Sequence, residues 1–406
     1  MSSRSEYAAT LGAMFVRAAT GIKLGLDNMR AALALFGDPQ KRTKHVVVAG
    51  TNGKGSTSTL IADALRHADH KVGHYTSPHL LRFTERIRVD GAELDPGRVV
   101  SLYAAIASAE RRLPQPLSFF EVATLMGFMV FAEERVDIAV LEVGLGGRLD
   151  AVNVVDRVLS VITPIGIDHE RYLGSTLSAI ATEKAGIIQR DVPVVSSPQD
   201  PVAWDVLEAQ ARAMNAPLAA APPFPSTLPP GTYQRVNVAT AAAALQVLRR
   251  AGLGVGVDHL ARACREFRWP GRYQWLGDVL LDGAHNGHGV EALLTALDND
   301  SQARGRPMHL VATVLADKDP IVVLEPLTKR AASVQLVPVG SNRSRSAAEL
   351  RALGHPVAGG ISQALVDAGR RAATDAGFVL VAGSLFLVAD ALAVLTGAPR
   401  DPPVDG

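Results

Sequence analysis

Cysteine is almost absent: the 406-residue chain has one, Cys264. A single thiol cannot close an intrachain disulfide, and it excludes any Cys-based metal cluster. It stands at helical spacing with Leu260, Ala263 and Phe267, so we read it as a buried structural thiol. An excess of charge is also missing. Lys and Arg total 41, Asp and Glu 40, for a formal net charge of +1. That balance argues against a general binder of nucleic acid or of a membrane surface, which usually carries a basic excess. No basic n-region leads into an apolar h-region at the N-terminus, so no signal peptide is expected. The most apolar stretch, 378–395, is interrupted by Gly383, Ser384 and Asp390. It reads as a buried strand followed by a helix, not as a membrane span. With 48% apolar and 20% charged residues the composition is that of a globular protein. The length suggests two or three domains, and a cytoplasmic enzyme is the expectation.

What is present is organised around residues 46–58, VVVAGTNGKGSTS. A β-branched run runs into the turn Gly50-Thr51-Asn52-Gly53-Lys54-Gly55-Ser56. A helical pattern with Leu60, Ile61, Ala64 and Leu65 follows. Strand, Gly-rich loop and helix set backbone N–H groups and a helix N-terminus against phosphate. Lys54 then reaches the β- and γ-phosphates, and Ser56 or Thr57 serves phosphate or Mg²⁺. The string departs from G-x-x-x-x-G-K-[ST]. Val48 occupies the first Gly position, and Gly55 follows the lysine where Ser or Thr is the rule. A Gly-rich turn with no ligand is the rival reading; the flanking elements and the lysine weigh against it.

Further strands are expected at 72–75, 137–143, 158–163 and 192–196, with a short extended piece at 83–89. Helices are expected at 7–18, 26–36, 95–112, 118–134 and 175–188. Alternation of this kind implies a parallel, doubly wound sheet. Residues 215–235 are rich in Ala, Pro and Gly and show no element. Helices at 236–250 and 257–267 precede Arg268-Trp269-Pro270-Gly271, which breaks the pattern. Strands at 279–282, 309–314, 334–339 and 378–381 then alternate with helices in a second α/β unit. The division expected is 1–268 and 272–406.

Ligands of open α/β sheets bind at the carboxyl ends of the strands. Four strands of the first unit end in polar or Gly-rich signals: the Lys54 loop, Ser77-Pro78-His79, Glu142 with its Gly-rich turn, and Asp168-His169. Glu142 lies in a hydrophobic strand, where a lone carboxylate is costly. It is either a Mg²⁺ ligand or the partner of a buried Arg such as Arg148. His169 is a structural histidine or a ligand, and Ser77 offers a neutral oxygen. Mg²⁺ prefers oxygen, which weakens the case for the imidazole. Lys184, on a helical apolar stripe, is a snorkelling surface lysine or an active-site lysine. In the second unit, Asp282 is a ribose or adenine contact or a helix cap, and His285 reaches towards phosphate. Arg272 is a phosphate clamp or an ordinary salt bridge. Asn237 begins an Ala-rich helix, where capping is the plain role.

The motifs GTNGKGS (50–56), TSPHL (76–80), ERIRVDG (85–91), LEVGLGGRLDAVN (141–153), DH (168–169), EKAGI (183–187), GRYQ (271–274) and DGAHN (282–286) occur in this order. Together they resemble the folylpolyglutamate synthase/dihydrofolate synthase family, related in fold to the Mur ligases. The resemblance runs from about residue 20 to the C-terminus. It implies an N-terminal P-loop domain and a smaller Rossmann-like C-terminal domain. The implied activity is ATP-dependent ligation of L-glutamate to a dihydropteroate or folate carboxylate through an acyl phosphate. By the same resemblance Gly53, Lys54, Gly55, Ser56, Asn237, Arg272 and Asp282 bind ATP. Ser77, Glu142 and His169 hold Mg²⁺, and Lys54, Lys184 and His285 serve catalysis, with Lys184 carbamylated. The folate pocket implied comprises Thr20, Gly21, Ile22, Ser118, Phe119, Phe120, Glu121, Leu149, Asp150 and Ala151. ATP as co-substrate, a monovalent cation, small-molecule partners only and a monomeric state complete what it implies. Two departures stand out: Tyr233-Gln234 where many members carry His-Gln, and Gly287 where Pro is frequent. A Mur-type ligase acting on a UDP-muramyl peptide and a non-catalytic nucleotide-binding module are the rival readings.

Overall fold

The computed structural model describes residues 3–18, 25–223 and 232–404. The first sheet has eight strands: β1 (Lys44–Ala49), β2 (Val72–Tyr75), β3 (Ile87–Val89), β4 (Ala92–Glu93), β5 (Ile138–Glu142), β6 (Leu159–Ile162), β7 (Val194–Ser196) and β8 (Leu218–Ala220). Their order is β4-β3-β2-β5-β1-β6-β7-β8. Strands β2 and β5 to β8 run parallel to β1 through their neighbours. Only β3 and β4 run antiparallel, as an edge hairpin. In register, Val48 lies opposite Glu142 and Val161, and Tyr75 opposite Leu141. The four strands whose ends carry the polar signals are therefore consecutive neighbours, β2-β5-β1-β6.

Both faces of this sheet are covered, which is why its strands read as unbroken apolar runs. Alternation sends Val46, Val48, Val140 and Val161 towards Leu60, Ile61 and Leu65 of the P-loop helix (Lys54–His67), and towards the Ala-rich helix (Thr232–Arg250). Val47, Ala49, Leu141 and Ile162 face the opposite core. There they meet Phe119, Val122, Met126 and Phe128, as well as Leu11 and Met14 from the first helix (Ser3–Val16). Helix starts follow local chemistry. Asp95 caps Pro96–Glu110 by accepting from Gly97 N–H (2.8 Å), with Pro at the first helical position.

The second sheet comprises β9 (Gln274–Leu276), β10 (Val279–Leu281), β11 (Met308–Ala312), β12 (Ser333–Leu336) and β13 (Phe378–Ala382). Its order is β12-β11-β13-β10-β9, parallel except for β9. The last described residues return to the first unit. Asp401 accepts from Tyr7 OH (2.8 Å) and Phe83 N–H (2.7 Å), and Val404 joins the first core. Among the described residues no helix is long and apolar enough to cross a membrane.

Three expectations need correction. Residues 83–86 are a 3₁₀ turn, not extended: the Glu85 carboxylate accepts from the N–H groups of Leu80, Leu81 and Arg82 at 2.8–3.0 Å and curls the chain. The segment 215–235 is not featureless, since β8 extends the sheet and a helix starts at Thr232. Asn237 consequently lies inside that helix and does not cap it.

Candidate active site

The carboxyl ends of β1, β2, β5 and β6 open into one cavity of about 650 Å³, which the second unit walls on its far side. Gly53, Lys54, Gly55 and Ser56 lie on one wall, with Ser77, Glu142 and His169 beside them. Asn237, Arg272, Asp282 and His285 reach the same space from later in the chain. Ser118, Phe120, Glu121, Leu149, Asp150 and Ala151 form a further lobe. Residues separated by more than two hundred positions thus share one site.

The Gly-rich loop at 50–56 is held from several sides. Gly53 adopts φ +84°, and a Cβ there would lie 2.3 Å from Asn237 Oδ1, so only glycine fits. Asn237 donates to Gln234 (2.9 Å), and Gln234 donates to Ser56 Oγ (3.3 Å). The Gln of the Tyr233-Gln234 pair therefore buttresses the loop. Lys54 donates to the carbonyls of Gly50 (3.2 Å) and Thr51 (3.1 Å). Burial lowers its pKa, and Glu142 and Asp168 oppose that shift. An ammonium poised among carbonyls, with few better partners, is suited to transfer to a phosphate.

Lys184 is not a surface lysine. It is 4% exposed, and its Nζ donates to the same Gly50 carbonyl at 2.7 Å. Burial, reinforced by the Lys54 charge, brings its pKa down to about 7. It lies behind the loop and does not line the cavity. Nor does Glu142 pair with Arg148, which bonds Glu183 instead (2.8 Å). Among the described residues Glu142 accepts from Ser77 N–H alone (3.1 Å), and burial raises its pKa to about 7 against the pull of Lys54.

Ser77 Oγ is buried and has no hydrogen-bond partner among the described residues. One under-satisfied carboxylate and one free hydroxyl oxygen are the hard donors that Mg²⁺ takes, with phosphate and water completing the shell. Among the described residues no three His, Cys, Asp or Glu side chains gather into a group that could hold a metal ion by themselves. His169 lines the same cavity, and burial brings its pKa to about 4, so its ring is neutral.

Other placements are mixed. Phe119 does not reach the cavity; it is 1% exposed and packs edge-on against Phe15, Phe83 and Phe120. Ser118 and Glu121 form a capping box, with the Glu121 carboxylate accepting from Ser118 N–H and Oγ (both 2.8 Å), while also walling the cavity. Asp150 accepts from the N–H groups of Gly144, Leu145 and Val152, and burial still raises its pKa. Asp282 is not the cap of the following helix. It accepts from Tyr273 N–H (2.8 Å) and Ala284 N–H (2.9 Å), and Asn286 is the cap. His285 donates from Nδ1 to the Gly283 carbonyl (2.7 Å), leaving Nε2 3.5 Å from Asp168. Thr20, Gly21 and Ile22 lie outside the described residues.

The structure adds residues that sequence reasoning did not single out. Lys318 makes an ion pair with Asp168, and Asn286 donates to Asp168 at 2.8 Å. Asn286 also exchanges amide hydrogen bonds with Asn52 of the phosphate loop, at 3.1 and 3.2 Å. Lys318 follows the carboxyl end of β11, so the strand-end rule would have found it. Arg86, 1% exposed, donates from Nε to His79 Nδ1 (2.8 Å) and lines the cavity.

A phosphate loop on a parallel sheet, facing a second α/β unit across a charged cleft, defines an ATP-dependent ligase of the Mur type. Residues 48–206 match the Mur ligase middle domain. The dihydrofolate synthase/folylpolyglutamate synthase of Escherichia coli is 33% identical over 408 residues, covering 92% of each chain. The Mycobacterium tuberculosis folylpolyglutamate synthase complexed with ADP superposes with a TM-score of 0.88 at 30% identity, covering 98% of this chain and 100% of that one. The bifunctional Yersinia pestis enzyme complexed with AMPPNP and Mn ion gives 0.83 at 31% identity, covering 96% and 98%. The chain belongs to the folylpolyglutamate synthase/dihydrofolate synthase family.

The Asp168–Lys318 pair is buried, with side chains 5% and 10% exposed. Removing one partner strands a charge, so Asp168→Asn or Lys318→Met alone is expected to cost about 3–5 kcal/mol. The double variant Asp168→Asn/Lys318→Met should recover most of that loss. Urea denaturation of the four proteins checks both statements.

Proposed function

We propose that the protein ligates L-glutamate to the carboxylate of dihydropteroate, and of reduced folates, with cleavage of ATP to ADP and phosphate. The observation that supports this most directly is the single cavity running from the Lys54 loop past Glu142 to the Phe120–Asp150 lobe. It has a phosphate end, a metal position at its middle and a half-apolar end of the right character for a flat heteroaromatic acceptor.

A carboxylate is a poor acyl donor. Its oxygen attacks the γ-phosphorus of ATP, ADP leaves, and an acyl phosphate results. The glutamate amine then attacks the acyl carbon, the tetrahedral intermediate collapses, and phosphate departs as the amide forms. Loop N–H groups and Lys54 hold the phosphates in line and offset their charge. Mg²⁺ at Ser77, Glu142 and His169 would supply further charge neutralisation when bound. Arg272 and His285 approach from the second unit, so closure of the two units surrounds the acyl phosphate and excludes water. In this reading residues 1–268 and 272–406 are separate domains, joined through the short linker 269–271. A monovalent cation, a monomeric state and a cytoplasmic location are carried from the resemblance.

Lys184 fits the carbamylation that the resemblance implies. A buried amine with a pKa of about 7 is half neutral near pH 7, and only the neutral amine adds CO₂. Its carbamate would be an anion directly behind the Gly50 carbonyl. ¹³C NMR with labelled bicarbonate should show a carbamate resonance that grows as pH rises from 6 to 8 (roughly one unit each side of that pKa) and is missing in Lys184→Met.

Purified protein with ATP, Mg²⁺, glutamate and either dihydropteroate or tetrahydrofolate should yield a glutamylated product. Product from neither acceptor would sink the proposal, and turnover of a UDP-muramyl peptide would move the protein to the other branch. Lys54→Ala and Glu142→Ala should each lower kcat/KM by about a hundredfold or more, measured by ADP release.

A further inference from the structure

Gly55 departs from the common phosphate loop, and the structure shows what takes the space. A Cβ built on Gly55 would lie 2.9 Å from Cζ2, 3.0 Å from Nε1 and 3.1 Å from Cε2 of Trp269. Real side chains do not approach rings of that rigidity so closely without displacement. The indole of the linker thus sits where a Ser or Thr side chain would otherwise stand, one residue after Lys54.

The ring is fixed on its other sides. The Arg88 guanidinium lies over it, 5.6 Å from the centroid, and the His74 ring is 6.2 Å away. His74 is 5% exposed and neutral, its pKa brought to about 3 by burial and the Arg88 charge. Its Nε2 bonds Ser58 Oγ at 3.0 Å, and Ser58 donates to the Gly55 carbonyl at 3.0 Å. Gly55 is therefore held by the indole at its Cα and by Ser58 and Thr59 (2.7 Å) at its carbonyl.

The same short turn also reaches the second unit. Arg272 N–H donates to the Trp269 carbonyl at 3.2 Å, closing the turn, and Gly283 N–H donates to the Gly271 carbonyl at 2.9 Å. The Arg272 guanidinium packs over Gly283 and lines the cavity. The indole on the phosphate loop and the guanidinium in the cavity are thus three residues apart on one closed turn.

We propose that Trp269 is a positioning residue for the nucleotide: its indole replaces the missing side chain of residue 55 and sets Lys54 in register with the interdomain linker. This rests on the reading of residues 50–56 as a phosphate site. A change in the angle between the two units would move the indole and be felt at Lys54 directly. An aromatic that merely filled core volume would alter melting temperature and leave nucleotide affinity alone.

The test is a cycle on the full chain with Trp269→Ala, Gly55→Ala and the double variant, with Trp269→Phe as the conservative control. Mg·ADP affinity by calorimetry, kcat, and the KM values of ATP and glutamate are the readouts. Trp269→Ala should weaken Mg·ADP and lower kcat by about tenfold each, with glutamate KM within about twofold, and Trp269→Phe should stay within about threefold of the unaltered protein. Gly55→Ala should cost about a hundredfold alone but under about threefold in the Trp269→Ala background, where the space is free. Unchanged Mg·ADP affinity in Trp269→Ala, or additive losses in the double variant, would overturn the proposal. If Trp269→Ala melts below the assay temperature, Trp269→Leu, which keeps apolar bulk beside Arg88, carries the same cycle. Failure of the unaltered protein to bind Mg·ADP overturns the phosphate-loop reading itself, and this proposal with it.

Discussion

The Asp168 carboxylate holds the two halves of the site together. Buried at the end of the loop that follows β6, it meets Lys318 and Asn286 from the second unit and lies 3.5 Å from His285 Nε2. Burial alone would push its pKa up. The His285 hydrogen bond and the Lys318 charge outweigh burial and hold it well below the usual carboxylate range. It is therefore an anion at any pH where the protein works, and the groups that bond it, Lys318 and Asn286, come from the second unit. Without that charge the second unit would bring Lys318 to the cleft with nothing to answer it. The Asn52–Asn286 amide pair adds direction, since it fixes the phosphate loop against the capped end of a helix in the second unit.

A second constraint lies behind the loop. The Gly50 carbonyl accepts from both Lys54 and Lys184, two buried ammonium groups converging on one dipole. Burial lowers both pKa values, and the Lys54 charge lowers that of Lys184 further, so positive charge there is expensive. In the proposed function phosphate and metal complete this site, and their binding energy becomes available for charge that develops during phosphoryl transfer. Glu142, with its raised pKa and single N–H partner, is the same statement with the opposite sign.

Much of this was legible in the residues. The four strand-end signals of the first unit predict a shared ligand edge, and β2-β5-β1-β6 are indeed neighbours. Other features were not legible, for specific reasons. Phe119 and Phe120 are consecutive, and a helix turns about 100° between them, so one faces the core and the other the cavity; the string FF does not say which. The Lys184 stripe reads equally as a snorkelling face or a buried one, because the pattern does not reveal what packs on it. Asn237 looked like a cap because the masking of its helix start by Ala, Pro and Gly placed the boundary four residues late.

The sequence by itself determined the alternation of elements, the phosphate loop with its lysine, and the ordered motifs that name the family. These are local properties: periodicity, turn chemistry and short strings of residues within one or two elements. The tertiary structure alone decided that Lys184 is buried, that Asp168 pairs with Lys318, and that Trp269 stands in for a side chain at Gly55. Each of those facts joins residues from separate elements more than a hundred positions apart. Such pairings depend on how two sheets and a linker pack, and no local pattern encodes the distance between them.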